Sequence, residues 1–272
     1  MSTMLSSVAS YACKKGLLRF SQLMAAGALC VNLLSVSAQA ETLKLLAGST
    51  PSSRPTCFMD MESGKFEGFM PEIAQEVAKR AGFELSFNAI PFSTLLQSLL
   101  SDKIDMIVAG MSPTDQRKTK VDFSDGITSV GEGIYTRDDN KKQYRSPADF
   151  KGEAIGIMAG TDYGRRISEM HVAKEIKFYE NAADLARDVS LGRVSVGMND
   201  YPLIKGQASI GALKGMHVVE TYQSTKVAPI AFALRKGNEP LLLKINQAIE
   251  SMKQDGSLQK ILSKWGMQYI PA

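Results

Sequence analysis

From Thr42 onward the chain alternates short apolar runs with longer stretches in which apolar residues return every three or four positions: TLKLLAG, MPEIAQEVAKRAG, FELSFNAI, FSTLLQSLLS and DMIVAG. The short runs read as strands and the amphipathic stretches as helices, an order that predicts an α/β fold with a parallel sheet. In the first helical stretch Ile73, Val77 and Ala81 share one face and Glu72, Glu76, Lys79 and Arg80 the other, with Gly82 as the C-terminal stop. The second is expected to start at Ser93 or Thr94, both good N-cap types, and to bury Leu95, Leu96, Leu99 and Leu100. The rhythm restarts after Asp149, with EAIGIMAG, a helix from about Asp162, IKFYE, a helix from Ala182 to Leu191, and VSVGMND.

Two extended stretches interrupt this order, GEGIYTRDD (131–139) and TKVAPIAFALRKGN (225–238), and each reads as a crossing between lobes. Two helical patterns separated by Asp255-Gly256 follow the second crossing and are expected to return to the first lobe. The predicted organisation is a first lobe from 41–133 and 227–272, a second lobe from 134–226, and a two-segment hinge that allows opening and closing.

The first forty residues hold Lys14, Lys15 and Arg19 but no acid, run apolar from Leu23 to Val36 and finish Ala38-Gln39-Ala40, the pattern of a secretory signal cleaved before Glu41. A membrane anchor fits less well, because the apolar stretch contains Asn32 and is shorter than the roughly 20 residues a span needs. A lipoprotein cleavage at Cys30 is disfavoured by the preceding Leu29. The net charge of +4 includes the three leader cations, so the rest carries +1 and offers no polycation for nucleic acid. Cys13 and Cys30 lie in the leader; Cys57 is left alone, which excludes a disulfide framework and reads as a small buried apolar residue.

The segment KIDMIVAGMSPTDQRKTKVDFSD (103–125) carries the first candidate chemistry. An apolar run meets Gly110 and Ser112, and Arg117 follows five residues later. Backbone N–H groups at Gly110 and Ser112, the Ser112 hydroxyl and a planar guanidinium suit a small carboxylate. A similar arrangement recurs in the other lobe, where Gly160-Thr161-Asp162 follows a strand and opens a helix with free N–H groups. Asp200, at the end of VSVGMND, is the candidate acceptor for an ammonium, with a helix N-cap as its alternative role. Phe92 is the candidate to cover a carbon skeleton, with Tyr163 and Phe58 weaker, although a Phe in such a place is more often core.

Catalytic patterns are poor. His171 and His217 stand apart from any metal-ligand spacing, there is no nucleophile elbow, phosphate loop or dinucleotide fingerprint, and Asp122, Asp125 and Glu132 read as solvated or capping acids. No cofactor and no metal are expected, and the chain is not expected to be an enzyme.

These stretches, with GKFEGFMPEIAQEVAKRAGF, DFKGEAIGIMAGT, LGRVSVGMND, APIAFALRKGN and DGSLQKILSKWG in order, make the chain resemble the polar amino-acid-binding proteins of ABC importers, solute-binding protein family 3. The resemblance spans nearly all of 41–269 and implies the two-lobed type II periplasmic binding fold, a periplasmic monomer, an amino-acid ligand and a membrane permease as partner. It further implies that Arg117 and Ser112 hold the ligand's α-carboxylate with backbone donors at Gly110 and Asp162, that Asp200 takes the α-amino group, and that Phe92 packs on the ligand. Two departures stand out. Arg54 occupies a loop position where the family commonly has a cleft aromatic, so it is expected to meet an acceptor or negative charge on the ligand side chain; the absence of acids in 49–56 argues against lysine or arginine. Asp162 stands where small polar residues are usual and would repel a carboxylate unless its side chain turns away. Two alternatives share the scaffold: a dehydratase-like enzyme, for which the cleft lacks a second proton-transfer carboxylate, and a sensory domain, which would continue beyond Ala272 into a membrane segment.

Overall fold

The computed structural model describes residues 42–271; the secretory-signal reading, with Cys13 and Cys30, lies outside them. Strand β1 (Leu43–Ser49) pairs in parallel along its whole length with β5 (Phe83–Ala89), and on its other side with β6 (Met106–Met111). Met106, Ile107, Val108 and Ala109 of β6 are all buried, as an interior strand covered on both faces requires. Beyond β6 lie β14 (Ala228–Arg235) and β7 (Val121–Phe123), both antiparallel, and β8 (Thr128–Val130) pairs with the start of β14. The order is β5-β1-β6-β14-β7.

Helix α1 (Phe69–Ala81) ends at Gly82, whose φ of 78° lets its N–H reach the Ala78 carbonyl. Ile73 and Val77 of α1 pack with Ile245, Ile249 and Met252 of α7 (Glu239–Gln254) and Leu258 and Leu262 of α8 (Ser257–Lys264), so the C-terminal helices cover the first sheet. On the opposite face α2 spans Phe92–Leu100. It starts one residue before the expected Ser93 or Thr94: Pro91, whose fixed φ suits a helix entrance, takes the cap position, and Ser93 turns its hydroxyl elsewhere. Leu95 and Leu99 are buried there, Leu96 is half-buried, and Leu100 points outward. Cys57 is fully buried beside them, and burial pushes its thiol up to about 11, so it stays a neutral apolar filler.

The second sheet has the order β11-β10-β12-β9-β13, from β9 (Glu132–Arg137), β10 (Ala154–Met158), β11 (Glu175–Tyr179), β12 (Val196–Asp200) and β13 (Met216–Val218). Helix α4 (Asp162–Met170) covers one face through Tyr163 and Ile167; α5 (Ala182–Ser190) and α6 (Tyr201–Ser209) cover the other through Leu185, Val189 and Ile204. The chain leaves the first sheet at Val130 and enters the second at Glu132, so the change falls at Gly131, two residues before the expected boundary. It returns between Val218 and Ala228. A small sheet of β2 (Ser52–Ser53), β3 (Cys57–Met59) and β4 (Phe66–Glu67), and the short helix α3 (Asp115–Lys118), complete the elements near the site. Among the described residues no helix is long and apolar enough to cross a membrane.

Candidate functional site

The end of β6 builds one wall. Gly110 has φ 69° and faces Thr56, whose methyl group would lie 3.1 Å from an added Cβ, so the turn needs a glycine for conformation and for space. Thr114 caps α3 by accepting from the Arg117 N–H at 3.3 Å, and the single turn swings Arg117 back over the strand end. Its guanidinium donates to the Ser112 carbonyl at 2.9 Å and, across the gap between sheets, to the Gly160 carbonyl at 2.8 Å. A guanidinium carries five N–H donors, so three remain. Burial draws its pKa down, with Asp162 and Asp200 opposing the shift, and a guanidinium stays protonated regardless. Both partners are neutral carbonyls, so the positive charge is undiminished. The Phe92 ring lies 5.9 Å from the guanidinium carbon.

The facing wall belongs to the second sheet. Thr161 caps α4 by accepting from the Gly164 N–H at 3.2 Å, which orients the helix N-terminus toward Arg117. Asp162 would conflict with an anion here, but its carboxylate turns away to Arg165 (2.8 Å) and Arg166 (3.1 Å). Burial alone would raise its pKa, and those two hydrogen bonds outweigh burial and hold it below the usual range. Asp200 behaves in the opposite way. It occupies the N-cap position of α6, yet its side chain makes no capping bond and accepts no hydrogen bond from the described residues, so the cap role does not account for it. Burial, and then the neighbouring Glu132 carboxylate, push it up to about 7, with Arg117 pulling the other way.

Glu132 was misread as a solvated or capping acid. It is 3% exposed and accepts from the Thr225 N–H and hydroxyl, each at 2.6 Å, from the Ser224 hydroxyl at 2.7 Å and from Arg166 at 3.4 Å. Burial would raise its pKa, but the Thr225 and Ser224 bonds hold it below normal. The register places it opposite Asp200 in the β9–β12 pair, which explains their mutual repulsion. Arg166, also unnoticed in the sequence, joins Asp162 to Glu132. The hydroxyl cluster Ser224-Thr225 after the second sheet was the available signal, but its partner lies 92 or 93 residues away.

Phe92, Gly110, Ser112, Arg117, Thr161, Asp162 and Asp200 line one cavity of about 40 Å³, together with Glu132, Tyr163 and Arg166. At roughly 10–15 Å³ per water-sized probe, it holds about three such groups, the scale of a small zwitterionic head group. Tyr163 lines it with its hydroxyl donated to Asn199 at 3.2 Å. Arg54 is not among these residues. It is exposed, lies over the Phe58 ring at 4.3 Å and lines a different cavity, so the aromatic stack with Phe58 holds it away from these residues. Among the described residues no cluster of three or more His, Cys, Asp or Glu could hold a metal ion.

Residues 45–268 match the model of the bacterial extracellular solute-binding proteins, family 3. The chain belongs to this family. Like other family 3 solute-binding proteins it has two α/β sheets joined by two crossings and the type II periplasmic binding fold. It is 30% identical over 223 residues to the L-cystine-binding protein TcyJ of Escherichia coli (strain K12), covering 81% of this chain and 82% of that one. Among solved structures it is similar to an ancestral arginine-binding protein bound to glutamine, with TM-score 0.76, 32% identity, and 82% of this chain and 97% of that chain covered. It is also similar to the ancestral amino acid-binding protein AncCDT-1, a precursor of cyclohexadienyl dehydratase, with TM-score 0.73, 29% identity and coverage of 82% and 95%.

Proposed function

We propose that this family 3 protein is the periplasmic binding component of an amino-acid ABC importer, capturing a free α-amino acid between its two sheets and delivering it to the membrane permease. One observation carries the reading: Arg117, whose side chain donates only to carbonyls, and Asp200, whose carboxyl accepts no hydrogen bond from the described residues, line one small cavity from facing walls. In this reading the three remaining Arg117 donors, the Ser112 hydroxyl and the N–H groups near Gly110 and Asp162 hold the α-carboxylate, while Asp200 takes the ammonium and Phe92 covers the carbon skeleton. Binding an ammonium restores Asp200 to its ionised form by supplying the counter-charge that burial denies it. Residues 42–130 and 228–271 act as one lobe and 132–218 as the other, hinged at Gly131 and 219–227, and the protein works as a monomer after removal of a leader at 1–40.

Glu132 and Asp162 are already neutralised by hydroxyls and arginines, which leaves no second free acid for a cationic side chain. Neutral or acidic side chains therefore fit better than lysine or arginine. Calorimetry with an amino acid, its methyl ester and its N-acetyl derivative tests the grip: each blocked derivative is expected to bind at least a hundredfold more weakly, and equal binding of the ester removes Arg117 from the site.

A second reading rests on Asp200, whose pKa near 7 suits a proton donor in a dehydratase. Glu132, the acid beside it, is saturated by four donors and cannot act as the complementary base. Turnover of a cyclohexadienyl carboxylic acid by the pure protein would reverse the order of the two readings.

A further inference from the structure

A second cavity of about 1020 Å³ lies beside the crossings, and the geometry points to it as a binding site for an organic anion with an apolar, ring-bearing body, separate from the amino-acid cleft. Sites for molecules of that size are typically concave, apolar and furnished with few polar groups. Large apolar side chains that elsewhere are scattered singly over the surface converge here: Tyr201, Ile210, Val227 and Ile270 are all exposed and all line this cavity. Tyr222 also lines it, 8% exposed, with a buried hydroxyl that has no hydrogen-bond partner among the described residues. A ligand group that reached this hydroxyl would supply the partner it lacks.

The charge of the ligand follows from the charged residues that line the cavity. Lys264 is paired with Glu72 at 2.9 Å, and Lys205 with Glu220 at 2.9 Å; Glu220 also accepts from the Tyr201 hydroxyl at 2.6 Å. Glu132 is enclosed and satisfied by its own donors. Arg54 alone has no carboxylate of the described residues within 4.0 Å; its guanidinium lies over Phe58, whose ring meets the Trp265 ring edge-on at 5.7 Å. A ring-bearing anion would set its charge at Arg54 and its body between Trp265 and the apolar side chains. The walls come from both sides of the hinge: Arg54, Trp265 and Ile270 belong with the first sheet, Tyr201 and Ile210 with the second, and Val227 with the returning crossing. An occupant therefore touches both halves and favours the relative position in which this cavity has its present shape.

Trp265 is the only tryptophan and lines this cavity, so its emission responds to a dye bound here. Titration of the native protein with 8-anilinonaphthalene-1-sulfonate is expected to saturate at one dye per chain with energy transfer from Trp265. Arg54→Gln and Ile210→Asp should each weaken binding at least fivefold. The uncharged analogue 1-anilinonaphthalene should not distinguish Arg54→Gln from the parent. Arg54 is exposed and Ile210 is 58% exposed, so both variants are expected to melt like the parent; should Ile210→Asp melt early, Val227→Asp, at a side chain 57% exposed, replaces it. Unsaturable binding, or equal affinity in the Arg54 and Ile210 variants, would overturn the assignment, the second by placing the dye elsewhere, the amino-acid cleft included.

Discussion

The two walls of the cleft use charge in opposite ways. The first-sheet wall presents one cation, Arg117, hydrogen-bonded only to neutral carbonyls, so its field reaches the cavity intact. The second-sheet wall presents three carboxylates, and two of them, Glu132 and Asp162, are consumed by hydroxyls and arginines before any ligand arrives. Only Asp200 is left without a donor. Counting acids would make that wall strongly anionic. Following the hydrogen bonds leaves one carboxyl group without a donor, and the useful chemistry of a charged residue lies in what its neighbours have not already taken.

The largest expected effect comes from breaking the saturated part. Glu132→Ala leaves the Ser224 and Thr225 donors without their acceptor in a buried place, while Arg166 keeps Asp162, and urea unfolding should show a loss of about 3 kcal/mol with little change in slope. Next is the free cation: Arg117→Ala should weaken amino-acid binding at least a hundredfold, about 2.7 kcal/mol by calorimetry, while the protein still melts cooperatively.

The pH response sharpens the contrast between Asp200 and its neighbours. Its carboxyl ionises near 3.8 when unfolded and near 7 when folded, so between those values the folded protein holds the extra proton and this group's contribution to stability falls as pH rises; above 7 both states are ionised and the penalty is constant. Asp200→Asn should therefore gain stability at pH 8, on the order of 2 kcal/mol after allowing for partial exposure, and gain nothing near pH 3. Amino-acid affinity in the parent should fall about tenfold from pH 6 to pH 5, a slope that Asp200→Asn removes. Glu132 and Asp162, held low, should contribute nothing to that slope. The smallest effect is expected at the rim, where the Ser93 hydroxyl of the first half donates to Glu180 of the second at 2.7 Å; Ser93→Ala should change affinity by about threefold or less.

The parts of the fold visible in the sequence were those with a long period or a punctuating residue: α1 with its Gly82 stop, the apolar run of β6, and the helix start at Asp162. The small sheet of β2, β3 and β4 was not, since strands of two or three residues have no measurable alternation. In the site, residues at strand ends were readable because open α/β sheets gather ligands there. Glu132 was not, because its state is decided by donors that folding brings from residues 166, 224 and 225. Arg54 sits at a suggestive place in the loop, but a sequence position does not say which of two cavities a long side chain lines. Asp162 is the converse case: the conflict was visible from its position, and its resolution lay one helical turn away in Arg165 and Arg166.

Gly160 carries a consequence for the speed of capture. With φ 74° it lies so close to Ser93 that an added Cβ would be 2.7 Å from the Ser93 Cα, while its carbonyl takes a hydrogen bond from Arg117. The residue that lets the two halves meet thus also occupies one edge of the guanidinium, and in the proposed capture that edge is freed when the halves part. If entry waits on parting, the observed association rate is the intrinsic rate multiplied by the fraction of time spent apart, and the apparent dissociation constant rises as the reciprocal of that fraction. A side chain at position 160 that holds the halves apart should make capture faster and retention shorter, so uptake would be tuned by the dwell time of an opening as much as by the strength of the grip.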